Sequence, residues 1–158
     1  MSIAPRDESD VAEIIEAAVV HEGPEIVQPE GWANPAGYSN GAIASGRVVT
    51  VAGQVGWNPA NRVFESDDFV GQTRQALHNI VDVLLAAGAR PSDLVRLTWY
   101  IVERDEYVAA RREIGAAYKE IIGNYYPPMT LVLVSGLLEQ PAPTVINASK
   151  EDRTTNGR

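Results

Sequence analysis

Apolar residues recur at helical spacing in residues 10–20, where Val11, Ile14, Ile15, Ala18 and Val19 form one stripe and Asp10 and Glu13 stand as a capping box. An amphipathic helix is expected there. Pro24, Pro29 and Pro35 interrupt residues 23–37, so the helix reads as an arm on an irregular connector, with the main domain beginning near Tyr38. Residues 41–44 and 47–55 are short strand-like runs around Ser45-Gly46, which predicts a hairpin, and a loop with Asn58, Pro59 and Asn61 follows. Residues 68–87 place Val70, Leu77, Ile80 and Leu84 on one helical stripe, with Gly88 as the stop. Residues 94–102 alternate Val95, Leu97, Trp99 and Ile101 against Arg96, Thr98 and Tyr100, the pattern of a half-buried strand. Asp105 is expected to cap a second long helix with Tyr107, Ala110, Ile114, Ala117 and Ile121 on one face, ending at Gly123 before Pro127-Pro128 forces an extended chain. Residues 129–134 and 144–149 read as strands, and the polar stretch from Lys150 to Arg158 as a tail.

The order β-β-α-β-α-β-β is an α+β plan in which two helices cover one face of a mixed sheet. Met129, Leu131 and Leu133 alternate with Thr130, Val132 and Val134, so that strand is apolar on both sides, and Val48, Val49 and Val51 tend the same way. One helical layer cannot bury both faces. Each large aliphatic side chain left in water forfeits roughly 1.5–3 kcal/mol, which favours packing sheet faces between subunits of a closed homo-oligomer.

With 158 residues the chain has room for one core. Its formal charge of −8, from 13 Lys+Arg against 21 Asp+Glu, would repel a polyphosphate, so nucleic acid is not an expected partner. The absence of cysteine removes disulfides, thiolate nucleophiles and the usual structural zinc sites. The opening MSIAPRDESD is acidic where a secretory signal is basic, and no apolar run approaches a membrane span, so a cytoplasmic protein without membrane partners is expected. The two histidines, His21 and His78, have no partner at metal spacing, and Ser39, Ser45 and Ser135 lack a nucleophile elbow or paired base. His78 and Asp82, four apart on one helix, read as an exposed pair. No metal site is expected.

Ala36-Gly37-Tyr38-Ser39-Asn40, Ala52-Gly53-Gln54, Gln72-Thr73-Arg74-Gln75-Ala76-Leu77 and Ala86-Ala87-Gly88 occur in an order that resembles the Rid family, the RidA/YjgF enamine/imine deaminases. The resemblance covers residues 32–150, leaving 1–31 as an N-terminal helical extension and linker and 151–158 as a tail. It implies a chorismate-mutase-like fold, a homotrimer whose sheets pack into a central barrel, small-molecule clefts between subunits, and no metal or organic cofactor.

The same resemblance exposes departures. Family members that hydrolyse 2-imino acids use an Arg after the Tyr-Pro-Ala stretch to grip the substrate carboxylate; here Tyr126-Pro127-Pro128 leads to Met129. A thioether cannot reproduce the bidentate fork of a guanidinium, and leaving that carboxylate unpaired costs several kcal/mol, roughly two or more decades in affinity. On the last strand the family pattern Glu-x-Glu-Ala falls on Val145-Ile146-Asn147-Ala148, so Asn147 stands where a water-positioning Glu is expected, or Ile146 if the register shifts by one. An amide can orient water but cannot take its proton near neutral pH. The family's pocket cysteine becomes Leu131 and a pocket Asn on the second helix becomes Arg111, whereas Tyr38, Gly53 and Gln54 remain.

Several of these residues also have a plain structural reading. Tyr38 is a cleft wall or a turn residue, Met129 a pocket liner or core, and Arg111, beside Arg112, Glu106 and Glu113, a ligand contact or part of a solvated helix face. Trp32, Trp57 and Trp99 are candidates to shape a cleft, with core packing the default for Trp99.

The expected ligand-binding set is Tyr38, Gly53, Gln54, Arg111, Met129 and Leu131, with Asn147 as the residue that orients water. The expected function is binding of a small carbonyl- or enamine-type metabolite between subunits, with hydrolysis to a carbonyl and ammonia but not of the standard 2-imino acids; the alternative is a non-catalytic binding or sensing trimer. A cleft stripped of its cation and carboxyl is expected to favour uncharged guests.

Overall fold

The computed structural model of the chain describes residues 23–152, the last two by their backbone. The helix expected at residues 10–20, and residues 153–158 of the expected tail, lie outside the described residues. The chain runs β1 (Glu25–Val27), β2 (Gly41–Ile43), β3 (Arg47–Gln54), β4 (Trp57–Asn58), β5 (Val63–Phe64), α1 (Phe69–Ala86), β6 (Leu94–Ile101), α2 (Arg104–Ile121), β7 (Met129–Leu133) and β8 (Thr144–Asp152). Four strands form one sheet in the order β3-β8-β6-β7. β6 runs parallel to β7, with Leu97 opposite Met129 and Trp99 opposite Leu131, and antiparallel to β8, which in turn pairs antiparallel with β3. The sheet is therefore mixed, and with its two helices on one face the fold is α+β, as the periodicity predicts.

Asp68 starts α1 by accepting the Gly71 amide at 2.8 Å, which satisfies one of the free donors of the first turn. The helix ends where Gly88 takes φ +73° and the Ala89 amide closes back on the Leu84 carbonyl at 2.8 Å. Leu77, Ile80 and Leu84 are fully buried against Leu94, Leu97, Ile101 and Ile146 of the sheet. From α2, Ile114, Ala117 and Tyr118 enter the same layer. On β8, Thr144, Ile146, Ala148 and Lys150 are buried and alternate with half-buried Val145, Asn147 and Ser149, so Asn147 belongs to the face away from the helices. That face also carries Thr50, Thr98, Tyr100 and Val132 by register, and Val48, which is 57% exposed.

Several expectations require correction. Residues 23–37 are not wholly irregular, because β1 pairs antiparallel with β2. β2 is thereby taken from the hairpin expected across Ser45-Gly46, and β3 pairs with β8 instead. The expected loop at residues 58–61 is the turn of a small β4–β5 hairpin, in which Asn58 Oδ1 accepts the Ala60 amide and Asn61 Oδ1 the Val63 amide, each at 3.0 Å. Asp105 is not the cap of α2: Glu103 holds the N-cap position without a side-chain hydrogen bond, and Asp105 lies in the first turn. The last strand continues past Ser149, and Lys150 is fully buried in it rather than opening a tail. β6 is an interior strand bonded on both sides, so Thr98 is buried as well as its apolar neighbours.

The Asp68 carboxyl is held below its ordinary value of 3.8, first by the Ser66 hydroxyl and then by the Gly71 amide. A depressed value in the folded state stabilises above the unfolded value and is lost as pH falls through the folded one. Asp68→Ala is expected to reduce unfolding free energy by about 1 kcal/mol at neutral pH. In strongly acidic buffer the deficit should shrink, as read by urea titration; a deficit that persists unchanged in acid would show that the carboxylate is not the capping group.

Candidate functional site

Pro127-Pro128 keeps the chain extended as it enters β7, and this segment holds the stretch around Tyr38 in place. The Ser39 amide donates to the Pro127 carbonyl at 3.2 Å, the Ser39 hydroxyl donates to the Tyr126 carbonyl, and Ser39 bridges Pro128. Tyr38 is thereby set beside Met129. Between this segment, α2 and the β6–β7 edge lies a cavity of about 570 Å³, within the range of small-molecule sites.

Each wall has a sequence cause. Met129 and Leu131 point to the helix side because they pair with Leu97 and Trp99, which face that way. From α2, Tyr107, Arg111, Ile114 and Tyr118 fall on one stripe at i, i+4, i+7 and i+11, and all four line the cavity. Gly115 lines it too, and a Cβ added there would meet nothing within 4 Å. Tyr126 stacks on Tyr118 with centroids 5.2 Å apart and planes at 17°. The Tyr118 hydroxyl donates to the Tyr125 carbonyl at 2.8 Å.

The phenols are donors, not bases. Burial raises the Tyr118 phenol above the usual range, and it also raises Tyr107, where the Arg111 guanidinium opposes the shift. By side-chain type, the lining contains no Asp, Glu, His, Lys or Cys. Arg111 is its one charged residue. Among the described residues no carboxylate lies within ion-pair distance of Arg111, and Glu106, Arg112 and Glu113 do not line the cavity.

Tyr38, Arg111, Met129 and Leu131 are thus brought together within one chain. Gly53, Gln54 and Asn147 are not. Gly53 and Gln54 end β3, with β8 and β6 between them and β7, and strands spaced at about 4.8 Å put roughly 14 Å between the two edges. Gly53 permits a close approach there, since a Cβ would stand 2.6 Å from Val145 Cγ1. Asn147 pairs with Thr98 on the face away from the cavity. Trp99 is core and cavity floor at once, whereas Trp57 packs on Phe64 and Trp32 is exposed, so neither shapes this cavity. A smaller cavity of about 330 Å³ adjoins on the other side of the edge strand, where Arg96, Asn40 and Thr130 meet Tyr38 and Met129. Among the described residues no three His, Cys, Asp or Glu side chains gather as a metal site requires, and no helix is long and apolar enough to cross a membrane.

A two-helix layer on a mixed sheet with a cavity at the β7 edge defines the architectural class, and sequence comparison gives the family. The family model described as endoribonuclease L-PSP matches residues 31–144. This chain belongs to that family, the Rid or RutC proteins. A RutC family protein of Pyrococcus horikoshii is 30% identical over 113 residues, covering 72% of this chain and 86% of the relative. A solved Rid family structure from Yersinia pestis, of unknown function, superposes with a TM-score of 0.72 at 30% identity, covering 82% of this chain and 98% of that one. A 2-iminobutanoate/2-iminopropanoate deaminase of Capra hircus is 26% identical over 96 residues, 61% of this chain and 67% of the relative.

Glycine inside a helix costs roughly 0.5–1 kcal/mol relative to alanine. Gly115→Ala is expected to recover that amount in urea titration, because its new methyl meets open space. A loss of stability would contradict an open wall at this point.

Proposed function

We propose that this chain binds a small carbonyl- or enamine-type metabolite in the cavity between α2 and β7, that it does so as a homotrimer with one cavity at each subunit junction, and that the standard 2-imino acids are not its substrates. The observation that carries the reading is the cavity itself: aromatic and aliphatic walls from three elements, with Met129 where imino-acid hydrolases of the family carry their anchoring Arg. The relative named as a deaminase supports the enamine and imine class of ligand. The trimer is supported by the exposed apolar residues Val48 and Val132 on the helix-free face and Leu133 at the edge. In the trimer, Asn147, Gly53 and Gln54 serve a neighbour's ligand across the junction.

Two fates of the bound guest are compatible with such a cleft. In the first, enclosure and a water oriented by Asn147 hydrolyse the guest to a carbonyl and ammonia. In the second the trimer binds or senses its ligand unchanged, and one observation favours it: no Asp, Glu, His, Lys or Cys lines the cavity. Ribonuclease action, suggested by the name endoribonuclease L-PSP, is opposed by the net charge of −8.

Steady-state assays with freshly generated 2-imino acids should give no rate above buffer for the wild-type chain. The double variant Met129→Arg, Asn147→Glu is expected to gain turnover, since it restores the anchor and the carboxyl. Wild-type turnover of these acids would overturn the substrate reading, and a monomer in sedimentation analysis would overturn the shared cleft.

A further inference from the structure

The cavity holds one charge, and that charge has no counter-ion among the described residues. Two other guanidiniums on the helices are paired, Arg74 with Glu120 at 2.6 Å and Arg104 with Asp105 at 3.1 Å, while Arg112, which does not line the cavity, forms no ion pair with a described residue. Arg111 is not paired with any described carboxylate, although 21 acidic residues are spread over the chain. Its position is dictated by helical spacing: it stands one turn after Tyr107 and three residues before Ile114, on the stripe that faces the cavity, and it is solvent-exposed at the cavity's mouth.

We propose that Arg111 is the anion anchor of this cavity and grips the carboxylate of a small guest whose apolar or aromatic body lies against Trp99, Tyr118 and Tyr126. The inference rests on the cavity being a ligand site and narrows the class of guest. The charge missing from position 129 on the strand reappears across the cavity on the helix. A guanidinium offers a carboxylate two parallel donors, and the aromatic walls beside it give the guest's apolar body a surface to lie against. The preference for uncharged guests, expected from Met129 alone, is thereby reversed. The acid end of the guest sits at α2, so an acid held here is presented differently from one gripped at β7.

The test uses the full chain, titrated calorimetrically with phenylacetate and with its uncharged isostere phenylacetamide. Wild type is expected to bind the acid at least about tenfold more tightly than the amide, the order of one charge-assisted contact. Arg111→Met should abolish that preference, with the acid bound no more tightly than the amide, and Arg111→Lys should recover part of it, retaining charge without the fork. Arg96→Met, which alters the adjoining cavity, should leave the preference intact. Equal binding of acid and amide to wild type, or a preference that survives Arg111→Met, would overturn the inference. Binding of the amide alone overturns it and leaves the ligand-site reading standing. Binding of neither by a folded protein overturns both.

Discussion

Parallel pairing of β6 with β7 governs where the site forms. Parallel neighbours cannot be joined by a tight turn, so the chain must cross over the sheet, and α2 is that crossover. Because β7 is also the sheet edge, its helix-facing residues Met129 and Leu131 have neighbours on one side only. α2 meets this edge with Gly115, a residue without a side chain, and with tyrosines whose rings lean on one another, and between helix and strand the cavity remains. The Pro127-Pro128 segment then closes one end by capturing Ser39, which brings Tyr38 to the rim.

The cavity's chemistry depends on how its residues are held. Tyr118 is buried and bonded to the Tyr125 carbonyl, and Tyr125 itself donates to the Leu94 carbonyl at 2.6 Å, with burial and then Asp93 pushing its phenol up to about 12. Phenols held in this way keep their protons across the physiological range and serve as fixed donors and apolar walls.

Local pattern carries most of the fold. The stripes of α1 and α2, the alternation of β6 and β8 and the stop at Gly88 all come from spacing, because each depends on neighbours within a few residues. Strand partners depend on distant chain, and there pattern is silent: nothing near Ser45-Gly46 discloses that β2 pairs backward with β1 while β3 pairs with β8. Lys150 misleads for a different reason, since a lysine at the end of a strand reads as solvated until burial is known. At the site, the sequence neighbours of Arg111 are Glu106, Arg112 and Glu113, which suggest a solvated face but which the helix turns away from the cavity; its spatial neighbours are Tyr107 and Ile114, at spacings of four and three. Tyr118 and Tyr126 are absent from the expected site, although Tyr118 continues the same stripe.

The two groups of family positions lie on opposite sides of the sheet, and this has a consequence for assembly. Tyr38, Arg111, Met129 and Leu131 open toward the helix side of the β7 edge, whereas Asn147 sits on the helix-free face and Gly53 and Gln54 at the far edge strand. No rotation of side chains reunites them within one chain, because the thickness of the sheet separates Asn147 from the cavity and two strands separate Gly53 and Gln54 from β7. If both groups act on one ligand, the second group must come from a neighbouring subunit. The apolar residues that would draw that neighbour in, Val48 and Val132, lie on the same helix-free face as Asn147. The contact that would bury them is therefore also the one that would bring the Asn147 amide toward a neighbour's cavity. Assembly and site completion are then one event, and a chain that lost the contact would retain its aromatic pocket and Arg111 but not Asn147.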